Sequence, residues 1–118
     1  MLYDRALTIF ERSYGSEHYE IAANLNNLAM VRQAQGDSAK AEEMLTRALA
    51  IKEKIFGADN IDVAMTVNNL AVVRCAQGDD EKAAELYARA FAIFEAELGV
   101  DHPTVVTCRE NYGDLLKQ

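Results

Sequence analysis

The chain has a single proline, no tryptophan and two cysteines. Cys75 and Cys108 lie in no CxxC or Cys/His cluster, so the sequence proposes neither a metal module nor a disulfide framework. No apolar run approaches the roughly 18 residues that a membrane helix needs. The N-terminus shows no basic-then-apolar stretch of the secretory type. Two unclustered thiols without such a leader suggest a reducing, cytoplasmic setting. Bases are also short: 12 Lys and Arg stand against 19 Asp and Glu, a net charge of −7. Nucleic-acid binding relies on bases that neutralise phosphates, so this balance argues against it. It argues equally against anionic lipid surfaces. It permits a basic peptide. Catalytic signatures are missing too: there is no HExxH, no GxSxG and no glycine loop for phosphate. An enzyme, a cofactor and a bound metal are therefore not expected.

What is present is an internal period. Leu25-Asn26-Asn27-Leu28-Ala29 is followed by Gln35-Gly36-Asp37, and 42 residues later Val67-Asn68-Asn69-Leu70-Ala71 is followed by Gln77-Gly78-Asp79. Glu110-Asn111-Tyr112-Gly113 begins a weaker third copy. Gly15, Gly57 and Gly99 mark the same period, as do Arg5, Arg47 and Arg89, and Ala6, Ala48 and Ala90. A fixed period of this length signals a repeat architecture. Glycine is the residue that ends helices in the left-handed conformation, so two glycines per unit imply two helices per unit.

Apolar spacing predicts six helices, at about 2–14, 18–35, 38–56, 61–77, 80–98 and 103–117. Ala41, Met44, Leu45, Ala48, Leu49, Ile51 and Ile55 are expected to face inward on the third of them. Asp37 and Asp79 can cap the helices that follow. Pro103 fits a first helical turn, where a missing N–H costs nothing. No stretch alternates with period two, so no strands are expected. Short turns make neighbouring helices antiparallel. Alanines at 29, 41 and 48, and at 71, 83 and 90, let them approach closely. Each hairpin leaves an apolar face that the next one covers, which gives an α-solenoid.

These residues resemble the tetratricopeptide repeat, in the longer 42-residue form of kinesin light chains. The likeness rests on L-N-N-L-A at 25–29, Q-G-D at 35–37, A-E-E-M-L-T-R-A-L-A-I at 41–51 and the spacer Gly99-Val100-Asp101-His102-Pro103-Thr104-Val105. It implies an all-α solenoid of antiparallel pairs in a right-handed superhelical stack. One domain would span 1–118, with a partial repeat at 1–15, repeats at 16–57 and 58–99, and a closing half repeat at 100–118. Arg32 and Arg74 stand where the family usually has a large aromatic, and each must snorkel or find an acid. Arg109 replaces an apolar residue, so the last helix is expected to face solvent and act as a cap.

The resemblance also implies that the first helix of each pair lines a concave groove. That places Ala23, Asn26, Met30, Gln33 and Ala34 there in one repeat, and Met65, Asn68, Val72, Cys75 and Ala76 in the next. Thr107, Glu110 and Asp114 follow in the last helix. Asn26 and Asn68 are expected to grip a peptide backbone, since an amide both donates and accepts. Asn27, Asn69 and Asn111 are expected to hold repeats in register. No lysine stands at these groove positions. His18 and His102 share one place in two spacers, which repeat geometry explains. The expected function is a non-catalytic scaffold that binds a peptide or helix of a partner protein. The alternative is self-assembly, head to tail, through complementary half-repeats that bury Leu2, Leu7, Leu115 and Leu116.

Overall fold

The computed structural model describes residues 19–117. Five helices fill this span: α1 (Tyr19–Ala34), α2 (Ser38–Phe56), α3 (Ile61–Ala76), α4 (Asp80–Leu98) and α5 (Pro103–Leu116). The sequence predicts six, and the helix expected at 2–14 lies outside the described residues. There is no strand among the described residues.

The two Gly-Asp turns account for the hairpins. Gly36 and Gly78 have φ of 85° and 80°, a region that side chains with a Cβ avoid. With glycine there, the Asp37 amide donates back to the Arg32 carbonyl at 2.9 Å and the Asp79 amide to the Arg74 carbonyl at 3.0 Å. These bonds close α1 and α3 and satisfy their last carbonyls. The same aspartates then open the next helices. Asp37 Oδ1 accepts from the Lys40 amide at 3.1 Å, and Asp79 Oδ1 from the Lys82 amide at 3.2 Å. One dipeptide thus ends one helix and starts another. His102 plays the capping part for α5, its Nδ1 accepting from the Thr104 amide at 3.1 Å.

Packing follows the period. Ala29, Ala41, Ala48, Ala71, Ala83 and Ala90 are all fully buried. Leu28 and Leu45 fill the first hairpin, and Tyr87 and Phe94 the second. Burial pushes the Tyr87 hydroxyl up to about 12, with the neighbouring Cys75 and Cys108 thiols adding to the shift. The core is continuous along the stack. Leu70 and Val73 of α3 belong to the cluster of α1 and α2, while Val63, Ala64, Val67 and Ala71 of the same helix belong to that of α4 and α5. Each helix pair is covered by the next.

Ile55, expected inward, is 44% exposed. One period later the same position is Glu97, a polar site near the end of α4. The extents, 44 × 30 × 21 Å, match a short stack rather than a sphere.

Replacing Gly78 by alanine meets no atom within 4 Å, so only the backbone conformation is penalised. The expected loss is about 1–2 kcal/mol of unfolding free energy, read by urea denaturation.

Candidate functional site

The residues expected on the groove lie on α1, α3 and α5, the first helix of each hairpin and its counterpart after the last spacer. Ala23, Asn26, Met30 and Gln33 are half-buried, as are Asn68, Val72 and Cys75. Met65 is 49% exposed. Ala34, Ala76, Thr107, Glu110 and Asp114 are exposed. Met30 packs on the first core cluster and Val72 on the second. Gln33 Oε1 accepts from Ser38 Oγ at 2.8 Å.

The two asparagines expected to act alike are placed differently. Asn26 Oδ1 accepts from Asn69 Nδ2 at 3.1 Å and from the fully buried Thr66 hydroxyl at 3.3 Å. Asn26 therefore pins α1 to α3, with Asn69 meeting it through its side-chain amide. One period on, Thr66 is replaced by Cys108 and Asn69 by Asn111. Asn111 is exposed, and the Cys108 thiol leans on the Tyr87 carbonyl at 3.9 Å. Asn68 Oδ1 consequently lies buried with no donor. An orphaned buried acceptor costs about 1–3 kcal/mol, so the site is open to a donor brought from outside.

Asn68 lines an open cleft of about 270 Å³ together with Phe94, Pro103, Thr104, Thr107 and Cys108. Three helices build it: α3 supplies the amide, α4 the ring, and α5 the two threonines.

At the position of Phe94 the preceding repeat has Lys52. This lysine was not among the expected groove residues, although the 42-residue offset aligns it with Phe10 and Phe94. It is 4% exposed, and its Nζ reaches the Asp62 carbonyl at 3.4 Å. Burial holds its pKa below the usual lysine range, partly offset by the Asp62 carboxylate.

The arginines find partners. Arg74 pairs with Glu42 at 3.1 Å, and Gln77 donates to the same carboxylate at 3.0 Å. Arg32 Nη1 donates to Gln35 at 3.4 Å. Arg89 joins α4 to α2 through Glu53 at 2.9 Å and also donates to the Ala58 carbonyl at 3.2 Å. Exposed pairs of this kind add little stability but fix relative position. The Cys75 thiol is pushed up by burial and by Asp80, so it stays protonated at neutral pH and is a poor nucleophile. Among the described residues no three His, Cys, Asp or Glu gather as metal ligands, and no helix is long and apolar enough to cross a membrane.

A family model described as tetratricopeptide repeat matches residues 1–54 and 62–118. The chain belongs to the tetratricopeptide repeat family. Its repeats are kinesin light chain-like. The crystal structure of BtubC (BKLC) from P. vanneervenii is similar at 28% identity and a TM-score of 0.90, covering 98% of this chain and 46% of that one. The nearly identical TPR-like repeats of a Podosopora anserina putative kinesin light chain match at 25% identity and a TM-score of 0.91, over 98% of this chain and 55% of that one. The chain thus spans about half the length of these structures. No curated protein matches it. Proteins of this repeat fold generally mediate protein–protein interaction or assembly and are generally non-catalytic.

Two variants separate the asparagines. Asn26→Ala strips the Thr66 hydroxyl and Asn69 amide of their acceptor and is expected to cost about 1–3 kcal/mol, whereas Asn68→Ala, which removes an orphan, is expected to cost less than 1 kcal/mol. Chemical denaturation of both reads the contrast.

Lys52→Met keeps an apolar stem and removes a buried charge, with an expected gain on the order of 1 kcal/mol at neutral pH. The lysine binds its proton less tightly folded than unfolded. Wild-type stability should therefore rise as pH climbs from the lowered folded value towards 10.5, and the Met variant should lack that rise. Urea unfolding across this range is the measurement.

Proposed function

We propose that the chain is a non-catalytic scaffold whose concave face, lined by α1, α3 and α5, holds an extended peptide or a helix of a partner protein. The observation that carries this reading is the cleft at Asn68, whose buried carbonyl has no donor. A peptide backbone N–H supplies what that acceptor lacks. Exposed Met65 offers an adaptable apolar contact beside it in the same row of helices. Glu110 and Asp114 give the α5 end an acidic character, which suits a basic peptide. Nucleic acid and membrane are poor partners for a chain of net charge −7. On this reading residues 1–118 act as one repeat domain in a right-handed stack, with complete repeats at 16–57 and 58–99, and two free thiols suit a cytoplasmic setting.

Peptides selected from a random display library on the wild-type chain test the proposal. Met65→Glu should weaken their binding at least about tenfold, the effect of an unpaired charge in an apolar contact. Ala50→Glu, on exposed α2, should leave it unchanged. Equal effects of the two variants, or no selectable peptide, would remove the groove from consideration.

A further inference from the structure

Of the four leucines expected at self-association ends, Leu2 and Leu7 lie outside the described residues. Leu115 is already buried in the core with α4, and Leu116 is exposed. An unsatisfied group with room beside it lies instead at Asn68, whose buried carbonyl has no donor and whose side chain lines the cleft of about 270 Å³.

The preceding repeat shows what such an acceptor holds. Asn26, 42 positions earlier, accepts twice through Oδ1: from the Asn69 carboxamide at 3.1 Å and from the Thr66 hydroxyl at 3.3 Å. Both lone pairs of the amide carbonyl are then used. One period on, neither donor arrives. Cys108 replaces Thr66, and its thiol turns to the Tyr87 carbonyl at 3.9 Å. Asn111 matches Asn69 but is exposed and leaves Asn68 Oδ1 without a bond. Asn68 thus has two empty acceptor positions, and a single peptide N–H fills one of them.

The lining says what fills the other. None of the residues around the cleft is charged. One repeat earlier the matching positions carry two charges: Lys52 stands at the place of Phe94 and Asp62 at that of Thr104, with the Lys52 ammonium donating to the Asp62 carbonyl at 3.4 Å. The second repeat has lost both. A charged side chain entering the cleft sheds water and finds no countercharge in the lining. A purely apolar one leaves Asn68 Oδ1 half satisfied. What fits is a neutral group on a short apolar stem, which rests on Phe94 and Pro103 while the group donates to Asn68 and accepts from a threonine hydroxyl of the lining. A carboxamide has this chemistry, with two donors and one acceptor oxygen. Asn69 on Asn26 is the same pairing made within the chain.

We propose that the Asn68 cleft selects a glutamine or asparagine side chain of the partner, its carboxamide donating to Asn68 Oδ1 as Asn69 donates to Asn26. The proposal rests on the groove reading above and names the side chain that the groove recognises. The peptide N–H takes the second position, the one that the Thr66 hydroxyl takes on Asn26. Where Asn26 is answered from within the chain, Asn68 is left for the partner.

Titration calorimetry of peptides selected from the display library, and of their synthetic variants, tests this. A glutamine or asparagine should recur at one position. Norleucine in its place keeps an apolar stem, drops the amide and should weaken binding about tenfold or more. The matching acid, glutamate or aspartate, should weaken it at least as much. Asn68→Ala removes only the orphaned acceptor, and on that chain the carboxamide and norleucine peptides should bind alike. Peptides that shift the Asn68 side-chain amide without preferring a carboxamide would overturn this inference and leave the groove reading standing. So would a carboxamide preference that survives Asn68→Ala. Failure to select any peptide would overturn both.

Discussion

Everything in this molecule depends on the backbone reversal at Gly36 and Gly78. A left-handed residue at the end of one helix, followed by an aspartate that caps the next, leaves the chain no choice but an antiparallel hairpin. The hairpins bring Ala29, Ala41 and Ala48 into one core cluster and Ala71, Ala83 and Ala90 into another. Because the reversal recurs at a fixed interval, every later feature recurs with it. The first helices form one row and the second helices another. A residue's distance from the nearest Gly-Asp then decides whether it meets core, solvent or neighbouring repeat.

Two polar contacts hold the rows in phase, one in each. In the first row Asn26 accepts from Asn69 and Thr66; in the second Arg89 reaches Glu53. The first is partly buried and exacting, since leaving the Thr66 hydroxyl without an acceptor is costly. The second is partly exposed and contributes position more than energy. At the C-terminal side of the stack the first of these contacts loses its threonine donor. Cys108 stands where a threonine stood. The orphaned acceptor, Asn68 Oδ1, is where the repeat pattern stops being satisfied by itself, and the proposed function begins there.

Most of the fold was legible in the sequence because it depends on residue types with narrow roles. Glycines, capping aspartates and small alanines at a fixed spacing leave one arrangement, and the described helix limits fall within a residue or so of those expected. The site was less legible. Asn26 and Asn68 are identical in the repeat alignment, yet what separates them is the neighbour across the helix interface: Thr66 for one, Cys108 for the other. A single-position pattern cannot show this; comparing residues 40 apart can. Lys52 escaped for a related reason. The groove was read only from the first helices, and a buried lysine arising from the second helix was visible only by setting it beside Phe94. Ile55 shows the opposite failure, an apolar residue taken as inward where the helix end faces solvent.

On the proposed function the row of first helices, and not the row of second helices, receives the partner. Backbone and side-chain amide NMR spectra of the chain, recorded while a selected peptide is titrated in, test it most directly. Met65, Asn68 and Thr107 should shift, with the Asn68 side-chain amide among the largest changes, while Ala50 and Ala92 on the second helices stay in place. Shifts confined to α2 and α4, with Asn68 unmoved, would contradict it.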